Sequence, residues 1–223
     1  MVEISDTSTI EVEVMRIAII GAGNVGSALS SAAVRAGHTV SISATSPAKA
    51  SHVAAATGAN AAPDNTAAVA DAELVVLAVP GNAVVDVARE LAPALAGKIV
   101  VDASNPLNDT YTDLDIEETA AAQSLQHALP GVPLVKAFNT IFAGRLATPT
   151  EGDLRLTGFY AGDDTEAKKA VAGLLASLGF RPVDAGGLRM ARALEEMAFL
   201  NISLNAGNGW AWKTGWALLG PTS

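Results

Sequence analysis

The chain has 223 residues, 50% of them hydrophobic and 17% charged, with a net charge of −9, three histidines and no cysteine. That length can bury a full core, while the missing thiols exclude disulfides, thiolate nucleophiles and cysteine-held metals. The acidic balance argues against nucleic acid, whose phosphates call for a basic face, and no apolar run approaches the roughly 20 residues of a membrane span.

Residues 1–14 carry Glu3, Asp6, Glu11 and Glu13 and no Lys or Arg. They read as an acidic, flexible extension lacking the basic and apolar regions of a signal peptide, so the cytoplasm is the expected compartment. Arg16 to Ile20 is a β-branched run ending at Gly21, which predicts a buried strand. Asn24 to Ala36 predicts a helix stopped by Gly37. Thr39 to Ser43 is the second strand, and Pro47 to Ala56 the second helix, with Thr45 or Ser46 as its cap. Leu74 to Val79 predicts a third strand, Ala83 to Leu95 a helix, and Lys98 to Asp102 a strand. The acidic stretch from Asp109 to Glu118 reads as a solvated loop leading into a helix rather than as a metal site.

Further along, Ile116 to Ala128 predicts a helix, and Pro133 to Ala137 and Leu154 to Ala161 strands. Thr165 to Leu178 predicts a helix ended by Gly179, and Arg181 to Asp184 a last short strand. Leu188 to about Leu219 has helical composition, broken around Asn205 to Gly209. Strands that are apolar throughout, alternating with helices, imply an α/β, doubly wound (Rossmann) and mostly parallel sheet covered on both faces. The expected organisation is a dinucleotide-binding domain over 15–186 and a short C-terminal helical segment over 187–223 that packs on the sheet or on a dimer partner.

Gly21-Ala22-Gly23-Asn24-Val25-Gly26 matches G-x-G-x-x-G and sits between a predicted strand and a predicted helix, the context that makes it a dinucleotide fingerprint. Gly21 allows the tight turn, Gly23 lets the backbone approach the pyrophosphate, and Gly26 permits close helix–strand packing. The helix N-terminus adds unpaired donors and a positive dipole end. An NAD site usually places an acid about 20 residues further on, against the ribose hydroxyls. Here that stretch is Ser43-Ala44-Thr45-Ser46-Pro47-Ala48-Lys49. Thr45, Ser46 and Lys49 are therefore expected to hold the 2′-phosphate of NADP, the alternative being an ordinary helix cap followed by a solvated lysine.

No side-chain acid–base team is evident, since His38, His52 and His127 fall at packing or surface positions. Hydride transfer between two redox cofactors needs no general base, so that class is favoured over alcohol oxidation. The crevice should be lined where later strands end: Ala78-Val79-Pro80-Gly81, Asp102-Ala103-Ser104-Asn105-Pro106-Leu107 and Lys136-Ala137-Phe138-Asn139-Thr140-Ile141. Ala78, Val79, Pro80, Ser104 and Asn139 are the expected nicotinamide neighbours. The three tryptophans all lie within Gly209 to Trp216. They would either anchor the last helix to the sheet or stack on a flat ring or across a dimer interface. Asn201, Asn205 and Asn208 share one helical face.

In chain order, the glycine motif, the Val-Pro at 79–80, Ser104-Asn105-Pro106-Leu107, Ala137-Phe138-Asn139-Thr140 and Gly179-Phe180-Arg181-Pro182-Val183-Asp184-Ala185-Gly186 resemble the NADP oxidoreductase, coenzyme F420-dependent, family. The resemblance covers about residues 15 to 209. It implies hydride exchange between NADP(H) and coenzyme F420, a deazaflavin stacked on the nicotinamide, in a homodimer. Asn139 and Arg192 would then position the second ring, with no side-chain acid–base catalyst and no metal. Glu196, one turn beyond Arg192, would oppose an anionic ring unless it faces solvent. Arg145, Arg155, Arg181 and Arg189 are the cations available for the phosphate and glutamate tail of that deazaflavin. Two readings stand beside this one: a related NADPH-dependent reductase acting on a flavin, quinone, imine or metal chelate, and a non-catalytic module that senses NADP.

Overall fold

The computed structural model describes residues 14–115 and 120–220. The acidic extension therefore lies, but for Val14, outside the described residues, as does the start of the helix expected from Ile116. The chain runs β1 (Arg16–Ile20), α1 (Asn24–Arg35), β2 (Thr39–Ser43), α2 (Pro47–Thr57), β3 (Asn60–Ala61), α3 (Asn65–Val69), β4 (Leu74–Leu77), α4 (Val84–Leu91), β5 (Ile99–Asp102), α5 (Ala121–Ala128), β6 (Leu134–Ala137), α6 (Ala143–Leu146), β7 (Thr150–Glu151), β8 (Leu154–Arg155), β9 (Thr157–Gly162), α7 (Thr165–Ser177), β10 (Arg181–Asp184) and α8 (Ala191–Asn208). Eight strands form one sheet in the order β10-β9-β6-β5-β4-β1-β2-β3. Every pairing in it is parallel except β6 with β9. This is the doubly wound architecture expected, with its order reversing between β1 and β4, where a crevice opens at the strands' carboxyl ends.

The alternation of side chains explains why the strands are apolar throughout. In β1, Ile17 and Ile19 join one core while Ala18 and Ile20 join the other. In β4, Leu74 and Val76 face the first layer, and Val75 and Leu77 the second. Helices cover both faces, so each face must be dry.

The structure departs from the sequence expectations in four places. Residues 58–70 hold an edge strand and a short helix that hydropathy alone did not signal; Asp64 caps that helix by accepting from the Ala67 N–H at 2.7 Å. The helix expected over 83–95 ends at Leu91, and Ala92–Ala94 continue as a 3-10 turn around Pro93. The strand expected over 154–161 is two strands: β8 closes a hairpin with β7, while β9 turns back to pair antiparallel with β6. Finally, no helix follows Asn208. Gly209 ends α8 in the left-handed conformation, φ 63°, and residues 210–220 run as an extended strap. The strap is held by tertiary bonds instead of helical ones. Trp216 C=O accepts from the Thr157 N–H at 2.8 Å, and the Leu218 N–H donates to Thr157 Oγ1 at 2.9 Å. Among the described residues no helix is long and apolar enough to cross a membrane.

His38 illustrates how the fold uses its few titratable groups. It is buried between α1 and β2, far in sequence from the partners it binds. Nδ1 accepts from the Met15 N–H at 3.2 Å, which leaves the proton on Nε2 to be donated to Ser177 Oγ at 2.8 Å. Burial lowers its pKa below the ordinary value of 6.5. A histidine that resists protonation in the folded state makes stability fall as pH drops below the unfolded value. We expect the wild type to lose stability between pH 7 and 5 more steeply than His38→Gln in thermal denaturation; equal slopes would show that the neutral imidazole is not the folded form.

Candidate functional site

The turn after β1 is built so that only glycine fits at two of its three positions. Gly21 has φ 109°, and a Cβ there would lie 2.5 Å from the Ala78 carbonyl oxygen. Within α1, a Cβ at Gly26 would overlap the carbonyl oxygen of Gly21 and lie 3.3 Å from Ile19 Cγ2. Gly26 thus admits the turn itself as well as the strand behind it. Gly23 differs, because a Cβ there meets nothing within 4 Å. It is the N-cap of α1 and supplies no side-chain cap, and the helix has no acidic residue in its first turn. The first-turn N–H groups are left to whatever occupies the open space in front of them, and the dipole there favours an anion. Ala22 is buried under the turn, while Asn24 and Val25 face the main cleft.

Thr45, Ser46 and Lys49 lie exposed at the end of β2. Ser46 is the cap of α2, its Oγ accepting from the Lys49 N–H at 3.3 Å, with Pro47 in the first turn. The hydroxyl proton of Ser46 and the Lys49 ammonium remain available to a ligand. Ala78 and Val79, beyond β4, lie against the glycine turn, and neither they nor Pro80 line the cleft. Ser104 is not among the residues that line the cleft. It is buried, with its Oγ donating to Asp102 Oδ1 at 2.6 Å.

A cleft of about 740 Å³ opens between the start of α1, the ends of β5 and β6, α6, α8 and the strap. Its wall is apolar with interspersed amides: Asn24, Asn105, Asn139 and Asn201 beside Leu107, Phe142 and Ile202. Among the described residues, Lys213 is the one formally charged residue in that lining. Three non-glycine residues among those described have positive φ, namely Tyr111 (58°), Phe138 (66°) and Trp212 (57°). All three line this cleft. A bulky side chain in the left-handed region costs on the order of 1–3 kcal/mol, and such strain gathers where a site is shaped for a ligand. Trp212 also stacks edge-on against Phe142, ring centroids 5.6 Å apart at 75°.

Asn139 is fixed by its neighbours. Its Nδ2 donates to Asn105 Oδ1 and to the Leu194 carbonyl, each at 3.0 Å, and its own C=O accepts from Asn105 Nδ2 at 2.9 Å. Both partners of the side-chain nitrogen are acceptors, so the amide has one orientation, and its Oδ1 is left buried without a partner. The Thr140 hydroxyl beside it is likewise buried and unpartnered. Two orphaned polar atoms in neighbouring cleft residues are costly unless a ligand satisfies them. The structure therefore brings Asn24, Val25 and Asn139 together, and leaves Arg192 outside that group. Arg192 is half-exposed and donates to Glu196 at 3.1 Å, so the carboxylate is neutralised away from the cleft lining.

The acidic residue of α8 that matters to the architecture is Glu195, which hydropathy did not single out. Lys136 is fully buried in β6 between Asp102 (2.8 Å) and Glu195 (3.1 Å), and its third proton goes to the Ser104 carbonyl at 2.8 Å. Glu195 also accepts from the Ala121 and Ala122 N–H groups, closing the N-terminus of α5. Burial pulls the Lys136 pKa down, but the two carboxylates and their hydrogen bonds outweigh it and hold it above the ordinary lysine value. A lysine inside the apolar run Leu134-Val135-Lys136-Ala137 was the available signal, since such a charge must be paired.

Residues 16–106 match the family described as NADP oxidoreductase coenzyme F420-dependent. The chain is 31% identical over 216 residues to the F420-dependent NADP reductase of Methanothermobacter thermautotrophicus, covering 89% of this chain and 93% of that one. It is 40% identical over 106 residues to the Metalloreductase STEAP3 of Rattus norvegicus, a stretch that is 47% of this chain and spans only 21% of that protein. The crystal structure of a candidate F420-dependent NADP-reductase from Arthrobacter sp. FB24 superposes with a TM-score of 0.82 at 29% identity, over 92% of this chain and 100% of that one. A glycine turn shaped for a dinucleotide, a strained apolar cleft beside it and a relative matched along nearly its whole length converge: the chain belongs to the coenzyme F420-dependent NADP oxidoreductase family and is an NADP-dependent oxidoreductase.

Proposed function

We propose that the protein transfers hydride between NADP(H), gripped by the turn from Gly21 to Gly26, and coenzyme F420 seated in the cleft against the nicotinamide. One observation carries this reading. The cleft runs from Asn24 and Val25 at the dinucleotide turn to α8 and the strap, and among the described residues its lining offers amides and aromatic rings but no carboxylate or imidazole. Such a wall suits two flat rings brought face to face, which react by placement and electrostatics without a side-chain base.

The residues fit both groups. The open space at Gly23 and the unfilled N-terminus of α1 suit a pyrophosphate. The free hydroxyl of Ser46, with Thr45 and Lys49, suits a 2′-phosphate that an acid at this turn would repel. The orphaned Asn139 Oδ1 and Thr140 Oγ1 suit the amide edge of a nicotinamide or the N–H of a deazaflavin ring. NADPH, when bound, supplies a hydride, and the acceptor ring takes that hydride and one proton from water, so that two electrons leave NADPH as NADP⁺ is formed. The chain's part is to bind, to align through Asn139 and to exclude water with Phe138, Phe142 and Trp212. A homodimer belongs to this reading, with the exposed Leu200 and Leu204 of α8 supplying apolar surface for a second copy.

The test is an anaerobic mixture of the protein, NADPH and oxidised coenzyme F420, followed at the deazaflavin absorbance band. Steady bleaching that NADH supports poorly is the expected result. NADPH binding without bleaching would overturn the acceptor. It would direct attention to the second reading, a metal-chelate acceptor, which the 40% identity over 106 residues to the rat metalloreductase favours.

A further inference from the structure

The strap that replaces the expected second half of the C-terminal helix is pinned at three points. Thr214 Oγ1 donates to Asn201 Oδ1 at 2.7 Å and accepts from Asn205 Nδ2 at 2.6 Å, which ties it to α8. At Gly215 it presses so closely on the sheet that a Cβ would lie 2.7 Å from Leu156 Cδ1. The Thr157 N–H then holds the Trp216 carbonyl. Between these pins and α8, the left-handed turn at Trp212 sets its ring on Phe142 and leaves Lys213 exposed at the rim of the cleft.

Lys213 stands out for its charge. The chain carries a net charge of −9, yet among the described residues the cleft lining contains no Asp or Glu, and Lys213 is its only cation. Among the described residues Lys213 has no hydrogen-bond or ion-pair partner. The arginines that the family resemblance offered for an acidic tail are elsewhere: Arg145 is buried against Glu151 at 2.9 Å, and Arg181 donates to the strap carbonyls of Leu218 and Gly220. None of Arg145, Arg155, Arg181 and Arg189 lines the cleft.

We propose that Lys213 binds an anionic substituent, a phosphate or carboxylate, carried by the planar hydride acceptor, which makes the strap the element that selects the acceptor. The inference rests on the reading of the cleft as the acceptor site and adds the residue and the charge that choose among acceptors. An acidic protein repels an anionic substrate at long range, so a local cation on a flexible stem is what makes the rim permissive. The side chain's length lets the ammonium follow a mobile tail while the ring stays fixed below.

The test compares coenzyme F420, whose tail is anionic, with the same deazaflavin lacking that tail, each reduced by the wild type and by Lys213→Gln and Lys213→Glu at saturating NADPH. The ratio of kcat/KM for F420 over the tail-less ring should fall about tenfold for Lys213→Gln and more for Lys213→Glu, where attraction becomes repulsion. Added salt should raise the wild-type KM for F420 and leave that of Lys213→Gln nearly unchanged. A ratio that stays constant across the variants would overturn the role of Lys213 while leaving the reaction intact. A wild type that binds NADPH and reduces neither compound would instead overturn the acceptor reading, and the inference with it.

Discussion

Gly23→Val is expected to weaken NADPH binding by about a hundredfold or more, roughly 3 kcal/mol, while leaving the melting temperature nearly unchanged. The reasoning is steric. A Cβ at position 23 meets no protein atom within 4 Å, and the extended backbone there, φ −79° and ψ −168°, is one that valine adopts readily. The side chain would nevertheless fill the space in front of the α1 N-terminus, where a pyrophosphate must come within hydrogen-bond distance of the backbone. Gly26→Ala should behave in the opposite way, because its methyl would collide with the Gly21 carbonyl oxygen, a backbone atom that cannot swing aside. That variant should lose stability first and nucleotide affinity as a consequence. Titration of intrinsic fluorescence with NADPH, alongside thermal unfolding, separates the two; wild-type affinity in Gly23→Val would refute the assignment of the turn.

The second large effect is expected at Lys136. Replacing it by methionine leaves Asp102 and Glu195 buried without their cation, a change that typically costs about 3–5 kcal/mol. Whole domains are stable by only about 5–15 kcal/mol, so Lys136→Met should bring the protein close to its folding threshold in urea titration. The damage should also reach the cleft, because the lysine ties the Ser104 carbonyl to β6 and α8, and Asn105 follows directly. The pH sign is fixed by the raised pKa: the contribution of Lys136 is complete below its unfolded value of about 10.4 and is lost only as pH rises through the higher folded value. Its stabilising effect should therefore be the same at pH 6 and at pH 8. A Lys136→Met protein as stable as the wild type would show that the triad is dispensable.

Local features were the legible ones. The glycine turn could be read because its three glycines, the strand before it and the helix after it lie within the twenty residues from Arg16 to Arg35. The parallel sheet was legible for a similar reason, since strands buried on both faces cannot hide their apolar composition. What escaped was set by contacts distant in sequence. Lys136 and Glu195 are 59 positions apart and meet only when α8 crosses the end of β6. Residues 210–220 were misjudged because their composition suits a helix, whereas Gly209, the fit of Gly215 against Leu156 and the hydrogen bonds at Thr157 decide for extended chain. Trp212 proved to be a wall of the cleft and not an anchor of the helix, a role that its left-handed backbone fixes.

The strap also bears on the order in which the protein assembles. The dinucleotide turn depends on β1, α1 and β4, all within residues 16–77, whereas the opposite wall of the cleft joins residues 24–25 to residues 211–213, at the far end of the chain. Loop closure over such spans is slow relative to local structure, since the entropy must be lost before the contact forms. The glycine turn can thus be complete while the wall of the cleft that the strap supplies is still open.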